Sequence, residues 1–476
     1  MKRPKQKYFI VPFNSKKING RQLVTNRLGG WAFLEEEDFA ALNAFGIVER
    51  SPLYERLKAK GVVVDEANVQ NLLQEYRQLN RNLFLDTGLH IAVVTNRCNM
   101  ACSYCQVSAA PDQKDMSIEV AARVILYLCE VRRDSVALEL QGGEPLMNWP
   151  VVAFLIENAH KANAGSKSLK IAVVSNLLLL DEQKMSFLDR HNVVLCTSLD
   201  GPEDVHDHNR KLIGGRGSYR EVMARVSEFR AKFGRRVSML PTITRFSLKH
   251  PRRIVDEYVN NGQTEICLRP VNNMGNARCS WRELGYSSAE FMDFYCEATE
   301  YILELNRQGV DISERMARVI ATKVLLKQDP GYVDLMNPCG AGRAVITYTP
   351  DGGCYPCDEA RMMGNNLFRL GNIVEDSYQD VMTSANLLSL LEASCSDIWK
   401  TGSVFSPWSG YCPVVNYAVQ KNIVPKTACS SAQSIQDGQF EFVFSKLSAE
   451  GQDMSILRDW AIRGGYENKS KKIQNV

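Results

Sequence analysis

Cys98, Cys102 and Cys105 stand in the run Thr-Asn-Arg-Cys-Asn-Met-Ala-Cys-Ser-Tyr-Cys, a CxxxCxxC triplet closing a strand-like segment from His90 to Arg97. Three thiolates on one short loop can hold three corners of a cubane iron–sulfur cluster, which leaves the fourth iron without a protein ligand. An open iron is a place where a small molecule can chelate and accept an electron. The alternatives are a zinc site or unpaired buried thiols. Zinc prefers four ligands, and the next cysteine, Cys129, falls inside a predicted helix, Ile118 to Arg132, at a spacing that suits core packing.

The elements around the triplet repeat a pattern. Strand-like runs alternate with helical ones from Leu89 to about Asn276: His90–Arg97, Val136–Gln141, Leu169–Asn176, Val193–Leu199, Arg236–Thr244 and Glu265–Pro270. Such alternation predicts a parallel sheet with covering helices. Parallel barrels place their chemistry at the carboxyl ends of strands, and the triplet falls at one. Gly142-Gly143-Glu144-Pro145 falls at the next, where glycines permit close backbone approach and a glutamate can accept from an ammonium. Ser175-Asn176 and Ser198-Leu-Asp200-Gly-Pro close two more, although Asp-Gly-Pro is also a good turn.

Composition suits a large soluble enzyme. Hydrophobic residues make up 45% of 476, enough for sizeable cores. The 57 basic and 54 acidic residues leave a formal net charge of +3, which predicts no general attraction to nucleic acid or to an anionic membrane. No apolar stretch is long enough to span a bilayer, so the expected compartment is the cytoplasm, whose reducing conditions make disulfides an unneeded reading of the cysteines.

Before the alternating region, strands at Tyr8–Phe13, Arg21–Asn26 and Gly30–Leu34, then helices near Glu36–Ala44 and Leu53–Lys60, look like a winged-helix module. Winged helices that bind DNA usually carry a basic recognition helix, whereas Glu35-Glu-Glu-Asp38 opens this one. That acidic opening weighs against a DNA-binding role.

The triplet followed one βα unit later by Gly-Gly-Glu-Pro resembles the radical S-adenosylmethionine (SAM) enzymes. That resemblance implies a [4Fe–4S] cluster on Cys98, Cys102 and Cys105 with SAM on its open iron, and a partial (β/α)6 TIM-like barrel. It implies SAM or substrate contacts at Tyr104, Gly142, Gly143, Glu144, Pro145, Ser175, Asn176, Ser198, Asp200 and Arg210, with Tyr104 packing on adenine. His206 and His208 are read as structural. Further on, Cys339-Gly-Ala-Gly-Arg and Asp-Gly-Gly-Cys354-Tyr-Pro-Cys357-Asp358 resemble the SPASM extension, a cysteine-rich segment that carries auxiliary clusters. The resemblance makes Cys339, Cys357 and Cys412 ligand candidates, with Cys354 a fourth or a neighbour, and Asp358 a candidate proton acceptor. Zinc at these four is the alternative. Where relatives carry further cysteines this chain has Lys400, Ser403 and Ser409, poor iron ligands, so one auxiliary cluster is expected rather than two.

The order of parts resembles SPASM peptide maturases, nearest to those of His-Xaa-Ser systems. It implies a leader-recognition module at 1–66, a linker helix at 67–88, the radical SAM core at 89–285, a helical connector at 286–335, the SPASM-like extension at 336–445 and a polar tail at 446–476. The expected activity is side-chain crosslinking of a ribosomally made precursor peptide, fed with electrons by a flavodoxin-like reductase. Oxidation of a protein residue, or a non-catalytic metal protein, are the alternatives.

Overall fold

The computed structural model describes residues 8–81, 85–107, 114–395, 403–424, 431–449 and 451–465. The chain divides into two compact units. One comprises Met1–Phe84, Met316–Cys339 and Ala393–Val476; the other comprises Leu85–Arg315 and Gly340–Glu392.

In the first unit β1 (Tyr8–Ile10) pairs antiparallel with β5 (Val63–Asp65), while β2 (Phe13–Ile18), β3 (Arg21–Asn26) and β4 (Trp31–Leu34) form an antiparallel sheet in that order. Val24, Ala32 and Leu34 on one face bury against Leu42 and Leu57 of the helices Glu36–Asn43 and Pro52–Ala59. Trp31 and Phe33 meet Phe444 edge-on, at 5.4 and 6.3 Å between ring centres, in the helix Ser431–Ser448. The expected polar tail is corrected here. Gln452–Gly464 is a helix with Leu457, Trp460 and Ala461 buried, because apolar residues at i, i+3 and i+4 make a stripe that charged neighbours mask in a composition reading.

The second unit is built on β6 (Leu89–Thr95), β7 (Ser135–Gly142), β8 (Ser168–Val174), β9 (Val194–Ser198) and β10 (Ser238–Leu240), all parallel and adjacent in chain order. Nearly all of β6 is buried, as a central parallel strand requires. β7 alternates, with Val136, Leu138 and Leu140 buried and Ala137, Glu139 and Gln141 on its other side. Ser117 caps the helix Ile118–Glu130 by accepting from Val120 N.

Two expected strands each prove to be two. Pro241, with no N–H to donate, separates β10 from β11 (Thr242–Ile243), and β12 (Glu265–Ile266) is distinct from β13 (Arg269–Pro270). β11 pairs with β13, and β12 with β14 (Ser313–Glu314), both parallel. The architecture is an α/β partial barrel. Its sheet also takes in a segment that the sequence placed in a separate extension: β15 (Val345–Tyr348) runs parallel to β6 along its free edge, and β16 (Gly353–Tyr355) and β17 (Gly371–Asn372) follow antiparallel. Covering an open strand edge removes unpaired backbone groups.

Candidate active site

The carboxyl ends of β6 to β9 open on one pocket. Its wall holds Cys98, Cys102, Tyr104 and Cys105 from the loop after β6, Gly142 and Gly143 at the end of β7, Ser175 and Asn176 after β8, Ser198 ending β9, and Arg210. Gln141, Arg269, Asp358 and Arg361 also line it.

The cysteine loop is pinned along its length. Ala101 N donates to Lys211 O at 2.8 Å, Ser103 N to Asn209 O at 2.9 Å, and Asn276 N to Cys105 O at 2.9 Å. Gly275 has φ of +56°, and a Cβ there would stand 2.1 Å from Gln106 O. Gly275 and Asn276 carried no sequence signal for this role, because the contact joins residues far apart in the chain.

Burial pushes the Cys98 thiol up to about 12, and the neighbouring charges at Glu144, Cys102 and Cys105 add to the rise. Burial also raises Cys102. Clustered thiols of this kind stay protonated until a cation displaces their protons. Among the described residues no group of three or more His, Cys, Asp or Glu side chains is spaced to hold a single metal ion. A cubane places its ligands on separate irons, so three thiols spread along one wall fit an iron–sulfur cluster.

Three of the residues expected to contact SAM are not in the pocket lining. Glu144 is fully buried and outside the pocket lining, accepting from Leu146 N at 2.9 Å, Ser175 Oγ at 2.8 Å and Asn176 N at 2.7 Å. Pro145 is buried beside it, also outside the lining. Asp200 is likewise buried outside the lining; its Oδ1 accepts from Tyr104 Oη at 3.0 Å and Thr242 N at 3.1 Å. Burial lifts the Asp200 carboxyl to about 6 against the opposing pull of Arg210.

Tyr104 Oη also accepts from Arg210 Nη1 at 2.8 Å, so the hydroxyl ties the cysteine loop to Asp200 and Arg210. Arg210 Nε and Asp200 Oδ2 are buried with no hydrogen-bond partner among the described residues. An orphaned guanidinium donor in a pocket wall is a site for an anionic acceptor such as a carboxylate. His206 bonds Ser218 Oγ at 3.1 Å, and His208 stacks on Phe246 with ring centres 3.9 Å apart; neither is in the pocket lining.

The second cysteine set is divided: Cys339 and Cys412 belong to the first unit, Cys354 and Cys357 to the second. Cys354 is buried on β16. Cys357 Sγ accepts from Ala360 N at 3.4 Å and Cys412 Sγ from Val415 N at 3.5 Å, each capping the helix that follows it. Lys400 lies outside the described residues. Ser403 and Ser409 are hydrogen-bonded, to Phe405 N and to Gln436 respectively.

Asp358 opens the helix Asp358–Met363, and its Oδ1 accepts from Gln141 Nε2 at 3.0 Å and from Arg361 Nε and Nη2 at 2.9 and 2.6 Å. Neither partner carries a sequence signal for this role, although Gln141 sits at a strand end on the same side of β7 as Glu139. Burial, with the Asp358 charge adding to it, raises the Glu139 carboxyl from 4.5 to about 7. The folded protein therefore binds a proton that the unfolded chain releases. The stability Glu139 confers is complete below about pH 4.5 and is lost as pH rises through about 7. Glu139→Gln is expected to be more stable than the wild type at pH 8 by on the order of 2 kcal/mol, and equal to it at pH 4.5, in urea unfolding.

Comparison with known proteins agrees with this geometry. Residues 92–257 match the Radical SAM superfamily. The chain is 24% identical over 308 residues to a cysteine-type anaerobic sulfatase-maturating enzyme of Clostridium perfringens, covering 62% of this chain and 79% of that protein. It is 22% identical over 324 residues to the antilisterial bacteriocin subtilosin biosynthesis protein AlbA of Bacillus subtilis, covering 67% and 65%. Among solved structures, anSMEcpe with bound AdoMet and Cp18Cys peptide superposes with a TM-score of 0.67 at 18% identity, over 79% of this chain and 99% of that one. Streptococcus suis SuiB bound to precursor peptide SuiA gives 0.55 at 13%, over 90% and 100%. Through its parallel core and the triplet that core presents, the chain carries a Radical SAM domain over residues 92–257 and is a radical SAM enzyme.

Proposed function

We propose that this enzyme modifies a ribosomally made peptide by crosslinking one side chain to a neighbouring residue, using a cluster on Cys98, Cys102 and Cys105. A [4Fe–4S] cluster held there would, with SAM, supply a 5′-deoxyadenosyl radical able to remove hydrogen from an unactivated carbon. The chain's residues do the rest. Arg210, with its unpartnered Nε, receives the SAM carboxylate. Ser198 offers a hydrogen bond on the same wall, beside Ser175 and Asn176. Asp358, steadied by Gln141 and Arg361, accepts the proton that the substrate loses as the new bond closes, and the one electron left over would pass to the auxiliary cluster.

The observation that carries this reading is one pocket lined both by the three thiols and by Asp358. The relatives support a peptide substrate, since they include a sulfatase-maturating enzyme, a bacteriocin biosynthesis protein and SuiB with its precursor peptide. The finer parts of the reading are leader capture by module 1–66, one auxiliary cluster, cytoplasmic placement and a flavodoxin-like reductase. No helix among the described residues is long and apolar enough to cross a membrane. Oxidation of a single residue is the second reading, favoured by the sulfatase-maturating relatives.

The test supplies reconstituted enzyme, SAM and dithionite with candidate short peptides. Asp358→Asn is expected to keep releasing 5′-deoxyadenosine while product falls by about 100-fold. Mass spectrometry separates an internal crosslink, which resists fragmentation between the joined residues, from an aldehyde trapped by a hydrazine. A wild type that releases no 5′-deoxyadenosine overturns the enzyme's proposed chemistry.

A further inference from the structure

Behind the pocket wall, a run of hydrogen bonds joins the ends of β7 and β8 to the cysteine loop. Glu144 is 0% exposed, and both its oxygens are occupied: Oε1 by Leu146 N and Ser175 Oγ, Oε2 by Asn176 N. These bonds fix the backbone just past β8, where Asn176 begins its own contacts. Asn176 Oδ1 accepts from Leu178 N at 3.1 Å, so the carboxamide can turn only its Nδ2 toward the cysteines. That nitrogen donates to Asn99 Oδ1 at 2.8 Å and approaches Cys98 Sγ at 4.0 Å.

We propose that Glu144 is a positioning residue which, through Asn176, aims an amide N–H at the Cys98 sulfur and tunes the cluster held there. An amide N–H directed at a cluster sulfur favours the reduced, more negatively charged state, and hydrogen bonds to the sulfurs are among the determinants of cluster potential. The inference rests on the cluster reading given above.

The experiment measures the midpoint potential and the electron paramagnetic resonance of the reconstituted, reduced cluster without SAM. Asn176→Ala removes the donor and is expected to shift the potential negative; Asn176→Asp, which adds charge, shifts it further. Glu144→Gln places an amide donor against Asn176 N, displaces the latch and is expected to shift the SAM-free cluster in the same direction. A glutamate that acted only on the amino group of SAM would leave that SAM-free signal untouched. Should Glu144→Gln fail to fold, Asn176→Ala carries the test, because it keeps all three bonds to the Glu144 carboxylate. A wild type that takes up no cluster overturns the cluster reading and this proposal together. A wild type with a cluster whose SAM-free potential is unmoved in every folded variant overturns this proposal alone.

Discussion

Replacing Cys98, Cys102 or Cys105 by alanine is expected to lower 5′-deoxyadenosine release by well over about 100-fold, to the level of protein without iron. The comparison that sets the scale is the loss of a residue that merely orients a metal ligand, which typically costs 10–100-fold. Removing the ligand itself must cost more, since two thiolates cannot hold the cubane against solvent. The fold should survive, because all three cysteines are only partly buried, on a loop held by backbone bonds to Asn209, Lys211 and Asn276. Cys129→Ala is the control, since that thiol is exposed at the end of a helix and away from the pocket. Iron content and chromatographic 5′-deoxyadenosine decide it, and a triplet variant with wild-type release would remove these thiols from the chemistry.

Alanine at Gly142 or Gly143 should damage the site by a different route, through strain. Gly142 has φ of +155°, and a Cβ there would stand 2.1 Å from Thr95 O; at Gly143 it would stand 2.2 Å from Arg97 O. Neither neighbour can easily retreat, because Gly143 N donates to Thr95 O at 2.9 Å and Glu144 N to Arg97 O at 2.8 Å. Each substitution is expected to destabilise the protein by about 3 kcal/mol or more, the range of severe steric and backbone defects. Gly165→Ala, at φ of +77° with nothing within 4 Å of the added carbon, should cost only about 1 kcal/mol. Thermal unfolding of the three variants, with iron uptake measured in parallel, checks the ranking. Equal losses in all three would mean that the turn does not bear on the backbone leading into the cysteine loop.

These glycines show how legible the site was in the sequence. Their need for close approach could be read from residue type. The partner could not, and it is the chain's own backbone at Thr95 and Arg97. Glu144 and Asp200 stand out in the sequence by their family resemblance at strand ends, yet both are buried outside the pocket lining. Gln141, Arg269 and Arg361 reach the pocket without a motif to announce them. β15 was read with the C-terminal cysteines because its composition is ordinary, whereas its place beside β6 depends on an edge that only the folded sheet possesses.

The sequence by itself determined the local chemistry and the repeating elements: three thiols at fixed spacing, the glycine turn, and strands and helices whose periodicity follows from burial. Those properties depend on neighbours a few residues apart. The tertiary structure alone decided which polar groups face the pocket and which are consumed in holding it. That choice depends on pairings across tens to hundreds of residues, such as Asn176 with Cys98, Tyr104 with Asp200 and Gln141 with Asp358, and a buried polar group bonds to whatever the fold brings within reach.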